Sequence, residues 1–333
     1  MKKLLFYSLI ALVVASCSES PEAPKQNFVT VDGIDTSIKP GDNFFMHVNK
    51  TWYDTATIAD DQAGVGSYSF LNIPQKIKLQ EILQEVSSTD SPNGSIEQKV
   101  GDFYASGMDT AAINKRGFEP IQPVLDRIAE INDVSDLMSF VAAQAKLGDY
   151  SLISFGVYPD RTNSSMNIAH FGQTGLGLPD RDYYFKTDSS TKAIQIAYKQ
   201  YLKRLFMLTG SDQSEALLST ELAYSIEKLL AESHKTRVER RVIKDNFHNM
   251  AVAQLDATHR NINWSKLLVD LGLETDTVDI RQPAYFETLD EQLGKLDIDH
   301  WKIYLKANSI SSYDQYLSDP FKKAAFEYTK VLS

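Results

Sequence analysis

Apolar residues recur every three or four positions over most of this chain after residue 70, which is the spacing of one face of an α-helix. We predict helices over each such stripe, with further helices over residues 265–271, 284–293, 300–307 and 321–332. The clearest stripes are Leu79, Ile82, Leu83 and Val86; Ile96, Val100, Phe103, Tyr104 and Gly107; Val124, Leu125, Ile128 and Ile131; and Ile194, Ala197, Tyr198, Tyr201, Leu202 and Leu205.

Polar residues before several stripes mark where helices should begin. Asn72 has the side chain of an N-cap, and Pro74 then falls in the first turn, where a proline is tolerated. Ser135 is the expected cap of the helix that follows it. Asp212 and Glu215 have the spacing of a capping box, which predicts a well-defined helix start.

One segment departs from helical spacing. Residues 152–158 are rich in β-branched and aromatic side chains, and residues 167–171 follow a polar turn at 160–165. This pattern predicts a small β-hairpin, and residues 278–280 form another short extended piece. The expected fold class is therefore mainly α, a large helical lobe with one small β-hairpin.

The N-terminus reads as an export signal. Lys2 and Lys3 precede an apolar run at residues 4–14, which is too short to span a bilayer of about 30 Å. Small residues then lead to Cys17, the only cysteine in the chain, in a sequence typical of the bacterial lipoprotein cleavage box. We predict a lipoprotein signal peptide at 1–17, lipidation at Cys17 and a flexible tether at 18–31. The mature protein would be exported and anchored by lipid on the periplasmic side or cell surface of a bacterium.

Composition narrows the class of protein. The chain has 333 residues, of which 43% are hydrophobic, so it can bury a large core. Its net charge of −10 argues against a nucleic-acid partner, because phosphates would be repelled.

The histidines do not form a zinc motif. No two of them are four residues apart with a Glu between, as His-Glu-x-x-His requires. The pairs His234 with Glu239 and His248 with His259 also lack metal-ligand spacing, and we interpret these histidines as solvated or loop residues. The full set is His47, His170, His234, His248, His259 and His300.

Separated segments carry a specific resemblance. Residues 35–52 read DTSIKPGDNFFMHVNKTW, residues 100–109 read VGDFYASGMD, and residues 175–185 read GLGLPDRDYYF. Together with residues 262–273 and 283–289, they resemble, in the same order, the neprilysin and endothelin-converting-enzyme family of zinc metallopeptidases. The matching signature residues are Pro40, Gly41, Asp42, Phe44, Asn49 and Trp52, then Gly177, Leu178, Pro179, Asp180, Arg181, Asp182, Tyr183 and Tyr184.

These signature residues are expected to be structural. The aromatic ones are candidate buried anchors, among them Phe44, Phe45 and Trp52. Gly175 and Gly177 permit backbone turns that other residues resist. Arg–carboxylate hydrogen bonds could pin the loop at residues 180–182.

The resemblance implies a two-lobed peptidase in which a helical lobe closes over a zinc-bearing lobe, leaving a cavity that admits oligopeptides. The family's zinc ligands and the Glu that activates the bound water are absent from this sequence. Residues 32–333 would therefore be the family's N-terminal helical domain, without the catalytic zinc domain. We expect zinc in the full-length family member, none bound by this chain, and no peptidase activity from this chain alone.

Two alternatives remain open at this stage. One is a stand-alone helical surface lipoprotein that binds glycans or peptides on aromatic platforms, since the chain has 16 Tyr and 3 Trp. The other is a truncated, non-catalytic paralogue that kept the helical lobe.

Overall fold

The computed structural model describes residue 31, residues 33–59, residue 62 and residues 64–332. The predicted signal peptide, Cys17 and all of the predicted tether except residue 31 lie outside the described residues. The chain divides into two compact units, residues 1–80 and residues 81–333.

The first unit contains helix α1 (Phe44–Thr55) and most of α2 (Ser67–Ser88). Asn43 caps α1, its side chain accepting a hydrogen bond from the backbone N–H of Met46. The predicted start of α2 at Asn72 is wrong, because the helix begins at Ser67 and Pro74 lies inside it. Proline there removes one backbone hydrogen bond, which is why the sequence favoured a later start.

The second unit holds most of the predicted helices. Among the described residues, no helix has the length and apolar character needed to cross a membrane. The helices are α3 (Ile96–Met108), α4 (Thr110–Arg116), α5 (Gln122–Ala129), α6 (Val134–Ala145), α7 (Asp182–Phe185), α8 (Ser189–Leu208), α9 (Gln213–Ser233), α10 (Val252–Thr258), α11 (Trp264–Leu271), α12 (Pro283–Lys295), α13 (Ile298–Tyr313) and α14 (Asp319–Leu332).

The structure confirms one of the predicted helix caps and contradicts another. The capping box at the start of α9 is confirmed, with Asp212 and Glu215 each bonding the other's backbone N–H. The cap predicted at Ser135 is wrong, because Asp133 caps α6 by accepting from the N–H of Asp136. Asp and Ser are comparable N-cap residues, so spacing alone did not separate them.

The predicted hairpin is confirmed, and it belongs to a larger sheet. Strands β1 (Ser154–Pro159) and β2 (Asn167–Gly172) pair antiparallel. Strand β4 (Thr277–Ile280) lies parallel to β2 and antiparallel to β3 (Asn249–Ala251), which gives the order β1-β2-β4-β3. The fold is mainly α, as predicted, with a four-stranded sheet in place of the lone hairpin.

The core of the second unit consists of two apolar clusters. One is built around Trp264, Trp301, Tyr285 and Tyr304, all fully buried between the sheet and helices α11 to α13. The other gathers side chains of α8, α9 and α14, including Tyr198, Tyr201 and Phe321. Burial of aromatic side chains on this scale supplies much of the free energy that holds a domain together.

The sequence indicates solvated or loop histidines at His234 and His259. Both lie in loops, but the solvated alternative is wrong, because both side chains are buried. The ring of His234 stands edge-on to Tyr285, and the ring of His259 stands edge-on to Trp264. Both histidines follow helix ends, where their aromatic bodies help to close the apolar core.

Candidate functional site

The first signature segment forms a turn and the start of α1. Pro40 and Gly41 lie in that turn, where the N–H of Asp42 donates to the carbonyl of Lys39. Trp52 is half-buried and packs edge-on against Phe70, with ring centroids 6.4 Å apart. Phe44, expected to be a buried anchor, is 68% exposed, so that expectation is wrong.

Asn49 of this segment lies within α1, and its side-chain amide donates to the carbonyl of Phe45 one turn earlier. Phe45 is itself half exposed, so it is not a buried anchor either, and its ring stands edge-on to Tyr53. The contacts of this first segment are therefore local, made to its own helix, to the residues just before that helix and to the neighbouring α2.

The second signature segment, residues 175–185, is called the signature loop here. It begins at Gly175, whose φ of +90° favours glycine. A Cβ at this position would lie 2.3 Å from both the carbonyl oxygen of Ser151 and the hydroxyl of Tyr304. The prediction that Gly175 permits a turn is confirmed. Glycine is required here for two reasons, the positive φ and the lack of space for a Cβ.

Gly177 is needed for a different reason from the one expected. Its φ is not positive, but a Cβ would lie only 1.8 Å from the hydroxyl oxygen of Tyr198 on α8. The loop backbone therefore passes directly over a buried tyrosine. This close approach fixes the distance between the loop and helices α8 and α9.

The centre of the arrangement is Glu227 of α9, a residue that sequence reasoning did not single out. Its carboxylate accepts hydrogen bonds from the hydroxyls of Tyr184, at 2.8 Å, and Tyr198, at 2.6 Å. The Gly177 backbone also bonds to it. Tyr184 in turn accepts from the N–H of Leu178, at 3.0 Å. One carboxylate thus joins the signature loop to two helices, forming what we call the Glu227 lock.

Burial controls the ionisation of this lock. The Glu227 side chain is almost fully buried, and burial raises the pKa of its carboxyl from 4.5 to about 7, against the opposing effect of the tyrosine hydrogen bonds. Burial also raises the pKa of Tyr184 and of Tyr198 well above the ordinary value, so both remain hydrogen-bond donors.

A sequence signal for Glu227 existed. Ala223, Glu227 and Ala231 recur at four-residue spacing along α9, and the two alanines are fully buried. An acid in such a row faces the core, and a buried acid needs hydrogen-bonding partners. The tyrosines of the signature loop and of α8 are those partners.

The sequence predicted that Arg–carboxylate bonds would hold the charged residues of the loop, but not which residues would form them. Asp180 accepts from the Nε of Arg237 at 2.7 Å, so an Arg–carboxylate bond does pin the loop, but the arginine comes from outside the motif. Arg181 donates to the carbonyl of Ala231 at the end of α9 and lies over the ring of Phe185. The Asp180 carboxylate also caps the local turn, because its Oδ1 accepts from the backbone N–H of Asp182, at 2.8 Å.

The remaining signature residues complete this packing. Leu178 is buried in the second apolar cluster and Pro179 is exposed at the turn. The carbonyl of Tyr183 accepts from the side chain of Gln195 on α8, at 2.6 Å. Because Glu227 is buried beneath the loop, it is inaccessible to a peptide, and the Glu227 lock acts as a structural joint.

A zinc site does not fit the described residues. Across residues 33–59 and 64–332, no group of three or more His, Cys, Asp or Glu side chains is arranged to hold a metal ion. The buried pair of His170 and Asp279, with Nδ1 and Oδ2 2.6 Å apart, joins strands β2 and β4. A four-ligand tetrahedral zinc centre requires more ligands than this pair supplies.

Comparison with known proteins gives a consistent result. The model of Peptidase family M13 matches residues 40–333. The neutral endopeptidase of Lactobacillus helveticus is 25% identical over 305 residues, which are 90% of this chain and 46% of that protein. Endothelin-converting enzyme 1 of Homo sapiens is 22% identical over 319 residues, covering 91% of this chain and 40% of the relative.

Solved structures agree with this match. The crystal structure of Mycobacterium tuberculosis zinc metalloprotease ZMP1 in complex with an inhibitor superposes with a TM-score of 0.82 at 25% identity. That alignment covers 90% of this chain and 46% of the other. The chain thus spans less than half the length of these two curated relatives and of that solved structure.

Proposed function

The chain belongs to peptidase family M13, and from that premise we propose that it forms the N-terminal helical lobe of a zinc metalloendopeptidase that cleaves oligopeptides. In this proposal the lobe caps the active-site cavity and limits the size of the substrates that enter. Zinc and the residues that bind it would be supplied by a catalytic domain that is not part of this sequence.

The observation that carries the proposal is the extent of the family match. The family model matches residues 40–333, while the alignments with the two relatives, over 305 and 319 residues, cover only 46% and 40% of the relatives' lengths. The family resemblance implies a zinc site built on a His-Glu-x-x-His motif, which this sequence lacks. A division between a helical lobe and a separate zinc lobe accounts for both facts.

The packing of the described residues supports the same division. The Glu227 lock stiffens the second unit without presenting any reactive group to solvent. By contrast, α3 displays an apolar groove of about 630 Å³, whose lining includes Val100, Phe103 and Met108. Apolar surface of this kind is typical of a face that contacts another domain or a peptide.

The capping role is testable on the protein purified from its own cells with an antibody against this chain. We expect chelator-sensitive cleavage of a fluorogenic peptide about ten residues long, and no cleavage of a folded protein that contains the same sequence in an exposed loop. The recombinant 333-residue chain is the matched control and should cleave neither. Cleavage of the folded protein at a similar rate would contradict the size limit.

We also propose that Cys17 carries a lipid anchor that holds the protein on the periplasmic side or surface of a bacterium. The support is the sequence around Cys17 and the short apolar run before it. The test is partition of wild type and Cys17→Ser into a detergent phase. The wild type should enter the detergent phase and the variant should remain in the aqueous phase or keep its uncleaved signal. Equal partition of wild type and a mature form of the variant would refute lipidation.

A further inference from the structure

A polar cavity of about 330 Å³ lies beside the signature loop, within the second unit. Its rim carries five arginines from three separate parts of the chain: Arg161, Arg237, Arg240, Arg241 and Arg281. We call it the arginine cavity. Such a concentration of positive charge is unexpected in a protein with a net charge of −10.

The charges of the arginine cavity are largely uncompensated. None of its lining residues is acidic. Arg237 is paired with Asp180, and the Nε of Arg281 is 4.0 Å from the buried carboxylate of Asp279. For Arg161, Arg240 and Arg241 there is no ion pair within the described part of the chain. Three guanidinium groups therefore face one cavity without a counter-charge.

The floor of the cavity is a chain of buried amides that holds the arginine segment in place. Gln282 accepts from the backbone N–H of Gln173 through its Oε1, at 2.9 Å, and donates from its Nε2 to Asn246, at 3.0 Å. Asn246 donates to the carbonyls of Glu239 and Val242, at 2.7 and 2.8 Å. These bonds flank Arg240 and Arg241 on both sides.

A second set of bonds fixes the start of the same segment. The side chain of Gln173 donates to the carbonyl of Lys235 and accepts from its N–H, at 3.0 and 2.8 Å. The backbone that carries Arg237, Arg240 and Arg241 is thus tied to the end of β2 and to the start of α12. A fixed backbone reduces the entropy lost when the arginines close on a ligand.

We propose that the arginine cavity binds a phosphate dianion, either free or as the monoester of a small molecule. Guanidinium groups match the oxygens of phosphate by paired N–H···O bonds. A phosphate monoester brings close to two negative charges and three acceptor oxygens, whereas a carboxylate brings only one charge. The volume is within the range typical of small-molecule sites, and the local positive charge offsets the repulsion expected from the acidic surface.

The test is isothermal titration of the purified protein, at constant ionic strength, with inorganic phosphate, glycerol phosphate and acetate. We expect phosphate and its monoester to bind and acetate to bind at least about tenfold more weakly. Binding by both phosphates would show that the dianion suffices, and binding by the monoester alone would show that the organic part contributes. Both results support the site.

The double variant Arg240→Gln/Arg241→Gln should weaken phosphate binding at least about tenfold, whereas the exposed Arg260→Gln, outside the cavity, should leave it unchanged. Arg161→Gln, in the turn after β1, provides a second test if the double variant fails to fold. The proposal is overturned if neither phosphate binds, if acetate binds equally well, or if the cavity variants that fold bind like Arg260→Gln.

Discussion

Helices with apolar stripes in their sequences have very different surroundings in the two parts of this chain. In residues 31–116, helices α1, α2 and α4 contain no buried residue, and α3 buries only Gly101. In residues 118–332, the apolar stripes close into two clusters with fully buried tryptophans and tyrosines. A hydrophobic stripe therefore predicts that a helix exists, but not whether other residues bury its apolar face.

The comparison also separates two kinds of stabilisation. The second region combines dense aromatic packing with a buried polar joint at Glu227, so its stability depends on individual interior side chains. The first region relies on local caps and on helix formation. Substitutions at matched positions should show large effects in the second region and small ones in the first.

The largest difference is expected from removing aromatic side chains. Trp264 is fully buried against Phe171 and Phe286, whereas Phe103 on α3 is 81% exposed. Trp264→Ala should lower the free energy of unfolding by about 3–5 kcal/mol, through lost burial and a residual cavity. Phe103→Ala should change it by less than about 0.5 kcal/mol. Denaturant unfolding measures both changes. Equal losses of unfolding free energy would contradict the expected difference between the regions.

The next difference concerns pH and Glu227. Because its folded pKa is raised to about 7 from 4.5, the folded protein holds this proton more tightly than the unfolded chain. The resulting stability is fully present below pH 4.5 and is lost as pH rises through about 7. The loss should be about 3 kcal/mol in total.

Glu227→Gln cannot ionise, so it should remove that fall in stability between pH 4.5 and 8, whatever constant cost the lost hydrogen bonds impose. Glu85→Gln, an exposed acid on α2, is the control in the first region and should keep the wild-type profile. Unfolding free energies across this pH range give the slope for each protein. A variant slope equal to that of the wild type would show that Glu227 does not carry the dependence.

Two glycine substitutions should change the free energy of unfolding by intermediate amounts. Gly177→Ala would force a Cβ against the hydroxyl of Tyr198 and should cost about 1–3 kcal/mol. Gly107→Ala, on α3, meets nothing within 4 Å and should stabilise the protein by roughly 0.5–1 kcal/mol. Thermal unfolding of the two variants should therefore move in opposite directions. A stabilised Gly177→Ala would mean that the loop does not pass so close to α8.

Ion pairs should give the smallest effect. Asp180→Asn breaks the partly exposed pair with Arg237 and should cost about 1 kcal/mol or less. Asp54→Asn removes a more exposed carboxylate, which pairs with Lys50 on α1, and should cost less than about 0.5 kcal/mol. The difference between the two losses of unfolding free energy should shrink in high salt, which a repeat of the denaturant titration would measure. A larger loss at Asp54 than at Asp180 would reverse the ranking of the two regions.

Local sequence signals predicted much of the fold. Helical spacing located α3, α5, α6, α8, α9 and α11 to α14, and the Asp212 and Glu215 box marked a helix start correctly. The hairpin followed from its β-branched residues and polar turn. Its extension into a four-stranded sheet was missed, because β2 pairs with β4 through His170 and Asp279, which are far apart in sequence. Such pairing leaves no local pattern.

The site was predictable only in part, for the same reason. The signature loop was recognised, and the need for glycine at Gly175 was foreseen. The close contact of Gly177 with Tyr198, the Glu227 lock and the pairing of Asp180 with Arg237 all depend on residues that fold together from distant segments. The arginine cavity likewise combines Arg161 and Arg281 with the 237–241 segment. A cluster of arginines in an acidic chain was its only sequence signal.

The most direct test of the central claim is the mass of the native protein in the cells that make it, measured by immunoblot with an antibody against residues 118–332. If this chain is the helical lobe of a zinc endopeptidase, the band should be about twice as heavy as the 37.4 kDa chain, since the chain covers 46% of its relative in Lactobacillus helveticus. A single band at or just below 37.4 kDa would contradict it, because the cell would then make the lobe without a zinc domain.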